Sequence, residues 1–235
     1  MNKITNHIMI YAVSLKERID RQEKLLSQIH PHTPLFSFSL QEKGRYIVGK
    51  NAQVYDWRID SDNQWWNREM KLGEIDCFLS HLACWENAKS HQEVKYFLFL
   101  EDDVIVPNFN IGTINHILQK LSEQHADWDM LYLGREKLEN DIFDHNFFVV
   151  PGFSYCTYSY ILSRKGLDKL LNYHPQKKII PLDEFLPATY LKHPRHDIAK
   201  SIPPSINAFA LKSEMAYEGP KEIYGSDTEN SPYFK

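Results

Sequence analysis

Three consecutive carboxylates, Glu101, Asp102 and Asp103, follow the five apolar residues Tyr96–Leu100. A turn at that point can bring Glu101 and Asp103 to one side, and adjacent hard oxygens suit Mg2+ or Mn2+. Such a cation could also hold a diphosphate and neutralise its charge as a nucleotide departs. The other reading is a solvated acidic turn that caps the next element. Like charges this close repel, which favours the cation. A second pair of acids, Asp183 and Glu184, lies among apolar residues and prolines in IIPLDEFLP. A carboxyl in an apolar cleft titrates high and can act as a general base, with Asp183 first and Glu184 second. On the residues alone the favoured reading is the cap of a short helix, Asp183 being a good capping type. Arg18 and Arg21, three apart at a helix start, offer guanidinium forks for a phosphate or a nucleobase edge. They read alternatively as an exposed face pairing with Glu17 or Glu23.

Other polar residues are less specific. Ser80 and His81 are adjacent in a helical stretch and diverge by about 100°, so they form no nucleophilic dyad. No GxSxG elbow is present. His81 reads either as a hydrogen-bonded core histidine or as a ligand contact. His193 and His196 in KHPRH could ligate a metal, but beside a proline they read first as loop residues, and Ser226–Glu229 reads as a polar tail. A phosphohydrolase would need more acids or histidines gathered from other strand ends. A sugar-binding module without catalysis would use the aromatic content equally well.

The elements that must position these residues follow from apolar periodicity. Strands are expected at Ile8–Leu15, Phe36–Leu40, Tyr96–Leu100, Met130–Leu133 and Ser154–Leu162. Helices are expected at Lys16–Ile29, with Ile19 on the apolar side and Arg21 on the polar one, and at Gly73–Lys89, Ile114–Gln124 and Lys165–Leu171. The aromatic-bearing stretch Asn51–Arg68 reads as a loop or flap, and the chain from Pro203 as loop-rich. Alternating strands and helices predict an α/β protein with a mainly parallel sheet flanked by helices. Ligands of such sheets bind beyond the carboxyl ends of the strands, which directs attention to Ser14–Arg21, Glu101–Asp103 and Gly134–Arg135.

Composition bounds the reading. The 235 residues suit one large domain or two small ones, and no linker or repeat divides them. A net charge of −4 argues against nucleic acid held by global positive charge. Cys77, Cys84 and Cys156 form no CxxC pair and read as buried free thiols in a reducing compartment. The apolar stretch Ile8–Val13 is too short for a signal peptide, and no run is long enough to span a bilayer. A cytoplasmic location follows as the expectation, with peripheral contact at the inner membrane face open and the oligomeric state undetermined.

In order along the chain, these segments resemble glycosyltransferase family 25. The resemblance rests on Val13-Ser14-Leu15 followed by Arg18 and Arg21, on GEIDCFLSH from Gly73 to His81, and on Glu101–Asp103 after its strand. The stretches DWDMLYLGR, SYCTYSYILSRKG, IPLDEFLPATYLKHP and GSDTENS are similar to the collagen-modifying galactosyltransferases of that family. Bacterial lipooligosaccharide galactosyl- and glucosyltransferases of the family are more distantly similar. Three positions depart from the pattern: Asp76 stands where Gly is usual, Ser14 replaces Asn, and Asn207 replaces a His before Ala-Phe. A side-chain contact from position 14 is therefore expected to be lost, and no histidine ligand is carried to 207. The second transferase domain, signal peptide and retention signal of the collagen enzymes are not evident, which fits a bacterial, cytoplasmic relative better.

The resemblance implies a single GT-A domain over 1–235, built on a Rossmann-like sheet with the acidic motif after a central strand, and a UDP-sugar donor, UDP-galactose first and UDP-glucose as the alternative. It implies Mn2+ (or Mg2+) on Glu101, Asp102 and Asp103. Val13, Ser14, Leu15 and Arg18 would hold the uridine, with Ser80 and His81 near the donor. The donor set extends to Arg21, Asp102, Ser226 and Asp227. Transfer would invert the anomeric centre and place a β-linked hexose on a glycan or glycolipid such as lipooligosaccharide, or on hydroxylysine of a protein.

Overall fold

The computed structural model describes residues 8–29, 36–41 and 53–234. Residues 51 and 52 of the expected flap lie outside it. In chain order the elements that build the sheet and its covers are β1 (Ile8–Leu15), α1 (Ile19–Ile29), β2 (Phe36–Gln41), α2 (Leu72–Ser90), β3 (Tyr96–Glu101), β4 (Val104–Ile105), α3 (Ile111–Gln124) and β5 (Met130–Tyr132). They continue with β6 (Glu136–Lys137), β7 (Phe143–His145), β8 (Phe148–Val150), β9 (Ser154–Tyr155), β10 (Ser159–Ser163), α4 (Arg164–Asn172), α5 (Leu182–Tyr190), α6 (His196–Ser201), β11 (Ala208–Leu211), β12 (Tyr217–Glu218) and α7 (Lys221–Tyr224).

The main sheet has eight strands in the order β2-β1-β3-β10-β5-β11-β8-β7. β1 pairs parallel with β2 and β3, and β5 parallel with β11, while β10 runs antiparallel between β3 and β5. β8 is antiparallel to both β11 and β7. All strands except β10 and β8 therefore point one way, the mainly parallel α/β arrangement that the alternation predicts.

The near-continuous apolar strands are explained by burial on both faces. Tyr11, Phe97, Phe99 and Tyr160 join one core with Phe78 and Trp85 of α2, Leu167 of α4 and Phe185 of α5. Ile10, Ala12, Leu98, Leu100 and Ile161 join the other with Leu25 of α1 and Leu118 of α3. The rings of Tyr11, Phe99 and Tyr160 stack in sequence at centroid spacings of 5.6 and 5.0 Å.

Several boundaries differ from expectation for local reasons. α3 starts at Ile111 because the Asn110 side chain accepts from the Gly112 and Thr113 amides. Ser163 likewise accepts from Gly166, so α4 starts at Arg164. α1 begins only at Ile19, after a turn closed by Arg18 N–H to the Leu15 carbonyl. Its faces are also reassigned: Ile19 is exposed and Arg21 buried. The expected strand Ser154–Leu162 is two strands, broken where Cys156 adopts a left-handed φ of 70°. The segment after Pro203 contributes β11 to the interior of the sheet, which four unalternating apolar residues did not announce. No helix among the described residues is long and apolar enough to cross a membrane.

Candidate functional site

The acids leave β3 at its carboxyl end, beside the end of β1, as the sheet rule requires. Their three side chains have different surroundings. Asp102 is buried, with Oδ1 accepting from Arg21 Nη1 at 2.9 Å and Oδ2 from Ser14 Oγ at 2.7 Å. Ser14 thus does make a side-chain contact, contrary to the expectation drawn from its departure. Glu101 Oε1 accepts from Thr157 Oγ1 at 2.5 Å and faces His81 Nε2 at 3.2 Å. Burial pushes the Glu101 carboxyl up, but the His81 and Thr157 contacts outweigh it and hold it below its ordinary value. Asp103 is pushed up to about 7 by burial, then by the charges of Glu101 and Asp102, against the pull of Arg21 3.3 Å away.

Arg21 spends its fork inside the protein. Beyond Asp102 and Asp103, its Nε and Nη2 donate to the Tyr224 carbonyl and Nη2 also to the Gly225 carbonyl. It cross-links the acidic turn to the C-terminal segment and presents no open fork to a diphosphate. Arg18 pairs with Asp20 and Asp227 and donates to the Tyr224 carbonyl. The expected partners Glu17 and Glu23 take no part in these contacts. Ser226–Glu229, read from sequence as a tail, is folded over the strand ends. It is tied there by these arginines, by Gly73 N–H to Ser231 Oγ and by Leu72 N–H to the Pro232 carbonyl.

A cavity of about 300 Å3 lies under this strap. Val13, Ser14 and Leu15 form one wall, Ser80 and Asp102 another, and Ser226 and Asp227 the cover. His81 is fully buried behind Glu101, with Nδ1 against the Tyr160 hydroxyl at 2.8 Å, and does not line this cavity. A second cavity of about 420 Å3 shares Cys77, Glu101 and Asp103 with the first and extends to Trp65, Tyr155 and Asp183. The strap and the aromatic side were invisible in sequence, because their contacts join residues far apart along the chain.

Asp183 is the second position of α5, whose cap is Pro181, so the capping role is not the one it plays. Its Oδ1 instead accepts from the Cys156 amide at 3.0 Å. Burial, then the charge of Glu101, pushes its carboxyl up to about 7. Glu184 is 1% exposed, with Oε1 accepting from the Tyr155 hydroxyl at 2.5 Å and Oε2 facing His193 Nε2 at 2.6 Å. His193 lies in the connection between α5 and α6, as expected, but with its side chain buried, whereas His196 is the first residue of α6 rather than a loop residue. Cys84 is buried, but Cys77 and Cys156 are only partly so and line the second cavity. Asn207 precedes β11 and lies at the opposite end of the sheet from the acids.

The donor chemistry at Asp103 and Glu101 suits a hard dication, which would relieve the crowding that raises Asp103. Asp102 has both oxygens engaged elsewhere. Cys77, His81 and Glu101 also cluster within 4.8 Å of one another. There, however, both His81 nitrogens face partners, and burial pushes the Cys77 thiol up and away from the thiolate a metal needs.

The fold and cleft define an α/β protein with paired acidic groups beyond its strand ends. The model of glycosyltransferase family 25 (LPS biosynthesis protein) matches residues 7–186, and the chain belongs to that family. Procollagen galactosyltransferase 1-A of Xenopus laevis is 30% identical over 235 residues, covering 94% of this chain and 38% of that protein. Procollagen galactosyltransferase 1 of Danio rerio is 28% identical over 233 residues, with the same coverage. An inactive glycosyltransferase 25 family member 3 of Homo sapiens is 28% identical, covering 94% of this chain and 39% of that protein. The chain spans under two fifths of the length of these relatives. A glycosyltransferase involved in glycosylation of the major capsid of PBCV-1 is 12% identical, with a TM-score of 0.39, covering 86% of this chain and 93% of its own. A likeness that loose carries nothing about chemistry.

Proposed function

We propose that this chain transfers a hexose, galactose in first place, from a UDP-sugar to a hydroxyl of a glycan acceptor such as lipooligosaccharide. The observation that carries the reading is one continuous cleft in which two carboxyls from different elements, Asp103 after β3 and Asp183 on α5, are both pushed up to about 7. Perturbed acids converging on a cavity favour chemistry over simple binding. Family membership directs that chemistry to glycosyl transfer, and the names of the procollagen relatives favour galactose.

The cavity under the strap is assigned to the nucleotide, with Val13–Leu15 along it and Asp227 held over it by Arg18. Glu101 and Asp103 would hold Mn2+ or Mg2+; when bound, the ion supplies neutralising charge to the diphosphate. Asp102 is assigned to support, fixing Ser14 and Arg21. Asp183 accepts the acceptor hydroxyl's proton as its oxygen bonds to sugar C1 and the C1–O bond to phosphate breaks. A single displacement of this kind inverts the anomeric centre. Glu184, with both oxygens engaged in the interior, is not the base.

The test is UDP-sugar hydrolysis with Mn2+, comparing UDP-galactose, UDP-glucose and UDP-N-acetylglucosamine. One hexose donor should be turned over, and Asp103→Ala should lose both turnover and metal-dependent UDP binding. Sugar binding without UDP affinity would refute the reading.

A further inference from the structure

Two neighbouring residues of α5 accept hydrogen bonds from two neighbouring residues at the end of β9. Glu184 accepts from the Tyr155 hydroxyl, and Asp183 from the Cys156 amide. Cys156 holds a left-handed φ of 70°, which is strained for a non-glycine residue and persists only where its surroundings fix it. Its amide is thus aimed at Asp183 by a backbone that would otherwise relax. The residue before it is fixed through Glu184, which is 1% exposed and has its other oxygen on His193.

The chemistry of His193 is set by its second nitrogen. Nδ1 accepts from the Arg195 amide at 3.0 Å, so it carries no proton, and the ring proton sits on Nε2, directed at Glu184. Arg195 is itself anchored to the Trp57 and Asp56 carbonyls and to Asp197, so the amide cannot turn away. The path therefore runs from His193 to Glu184, to Tyr155, to the strained Cys156 amide and finally to Asp183.

We propose that His193 is a positioning residue for the transfer: through Glu184 and Tyr155 it holds the Cys156 amide on Asp183. The proposal deepens the transferase reading and depends on it only for its kinetic measure. His193 touches no reacting atom. It acts by holding a geometry that a shift of about 1 Å would spoil, a displacement that can cost roughly 10²-fold in rate.

Two substitutions separate this role from a merely structural one. His193→Asn keeps a side-chain oxygen for the amide two residues on, as in an Asx turn, but no longer reaches Glu184. His193→Gln carries an N–H out to Glu184 and gives up the turn. Each variant is measured for kcat and donor KM, and for the Tyr155 Cζ resonance in protein labelled with carbon-13 tyrosine, assigned as the signal missing in Tyr155→Phe. In His193→Asn kcat should fall about 10²-fold with donor KM unchanged, and the Tyr155 signal should move. His193→Gln should restore most of both. An active His193→Asn with an unmoved signal overturns the proposal, as does a His193→Gln no better than His193→Asn. If the wild-type protein turns over no UDP-sugar, the transferase reading falls, and the Tyr155 signal alone decides the positioning claim.

Discussion

Adjacent on one helix, Asp183 keeps a place at the cleft while Glu184 spends both oxygens on Tyr155 and His193. The base must be ionised to work, so kcat should rise with pH up to about 7 and level off above it. Stability moves oppositely. The folded state holds the Asp183 proton more tightly than an unfolded chain, whose carboxyl titrates near 3.8. That contribution is complete below 3.8 and lost as pH rises through about 7. Asp183→Asn, which keeps an oxygen for the Cys156 amide, should therefore melt at least about 2 °C above wild type near pH 8, the gap narrowing as pH falls and closing toward about pH 4. Equal melting points at both values would mean that no charge is buried at position 183. The acids themselves were legible, since a carboxylate triplet straight after a doubly buried strand must emerge at the sheet edge where ligands bind. The fates of Glu184 and His193 were not, because a bond across a turn to a residue nine positions on leaves no periodic trace. Ser14 meets Asp102 across 88 positions and was equally hidden.

At the scale of elements, the strap and the start of α2 meet with no room to spare. A Cβ on Gly73 would lie 2.6 Å from Thr228 Cα and 2.8 Å from Ser231 Oγ. Gly73→Ala must push strap backbone away, costing about 1–3 kcal/mol in a urea titration and weakening UDP affinity in the same protein. Unchanged affinity would separate the strap from the nucleotide. β3 and α2 could be read from the chain because burial dictates their apolar patterns. Helix starts were read late where one capping side chain, Asn110 or Ser163, decides them. β11 escaped because its four apolar residues follow a proline pair, and only its neighbours β5 and β8 make it a strand.

For the whole molecule, Arg21 is the residue at which distant parts converge. It joins α1, the acidic turn after β3 and the Tyr224–Gly225 end of the strap, and its side chain is 7% exposed. Arg21→Met would leave Asp102 buried without its counter-charge, a loss of about 3–5 kcal/mol in the free energy of unfolding. A loss below about 1 kcal/mol would mean that solvent reaches Asp102 after all. The net charge of −4 conveys none of this, because what matters is where the charges fall relative to the strand ends. Asp183 at the far side of that cleft bears the central claim. It is tested most directly by comparing wild type with Asp183→Asn for UDP-galactose turnover in Mn2+ and, by calorimetry, for UDP binding. Asp183→Asn should bind UDP as wild type does and lose about 10²–10⁴-fold in kcat; turnover at the wild-type rate would contradict its role as the base.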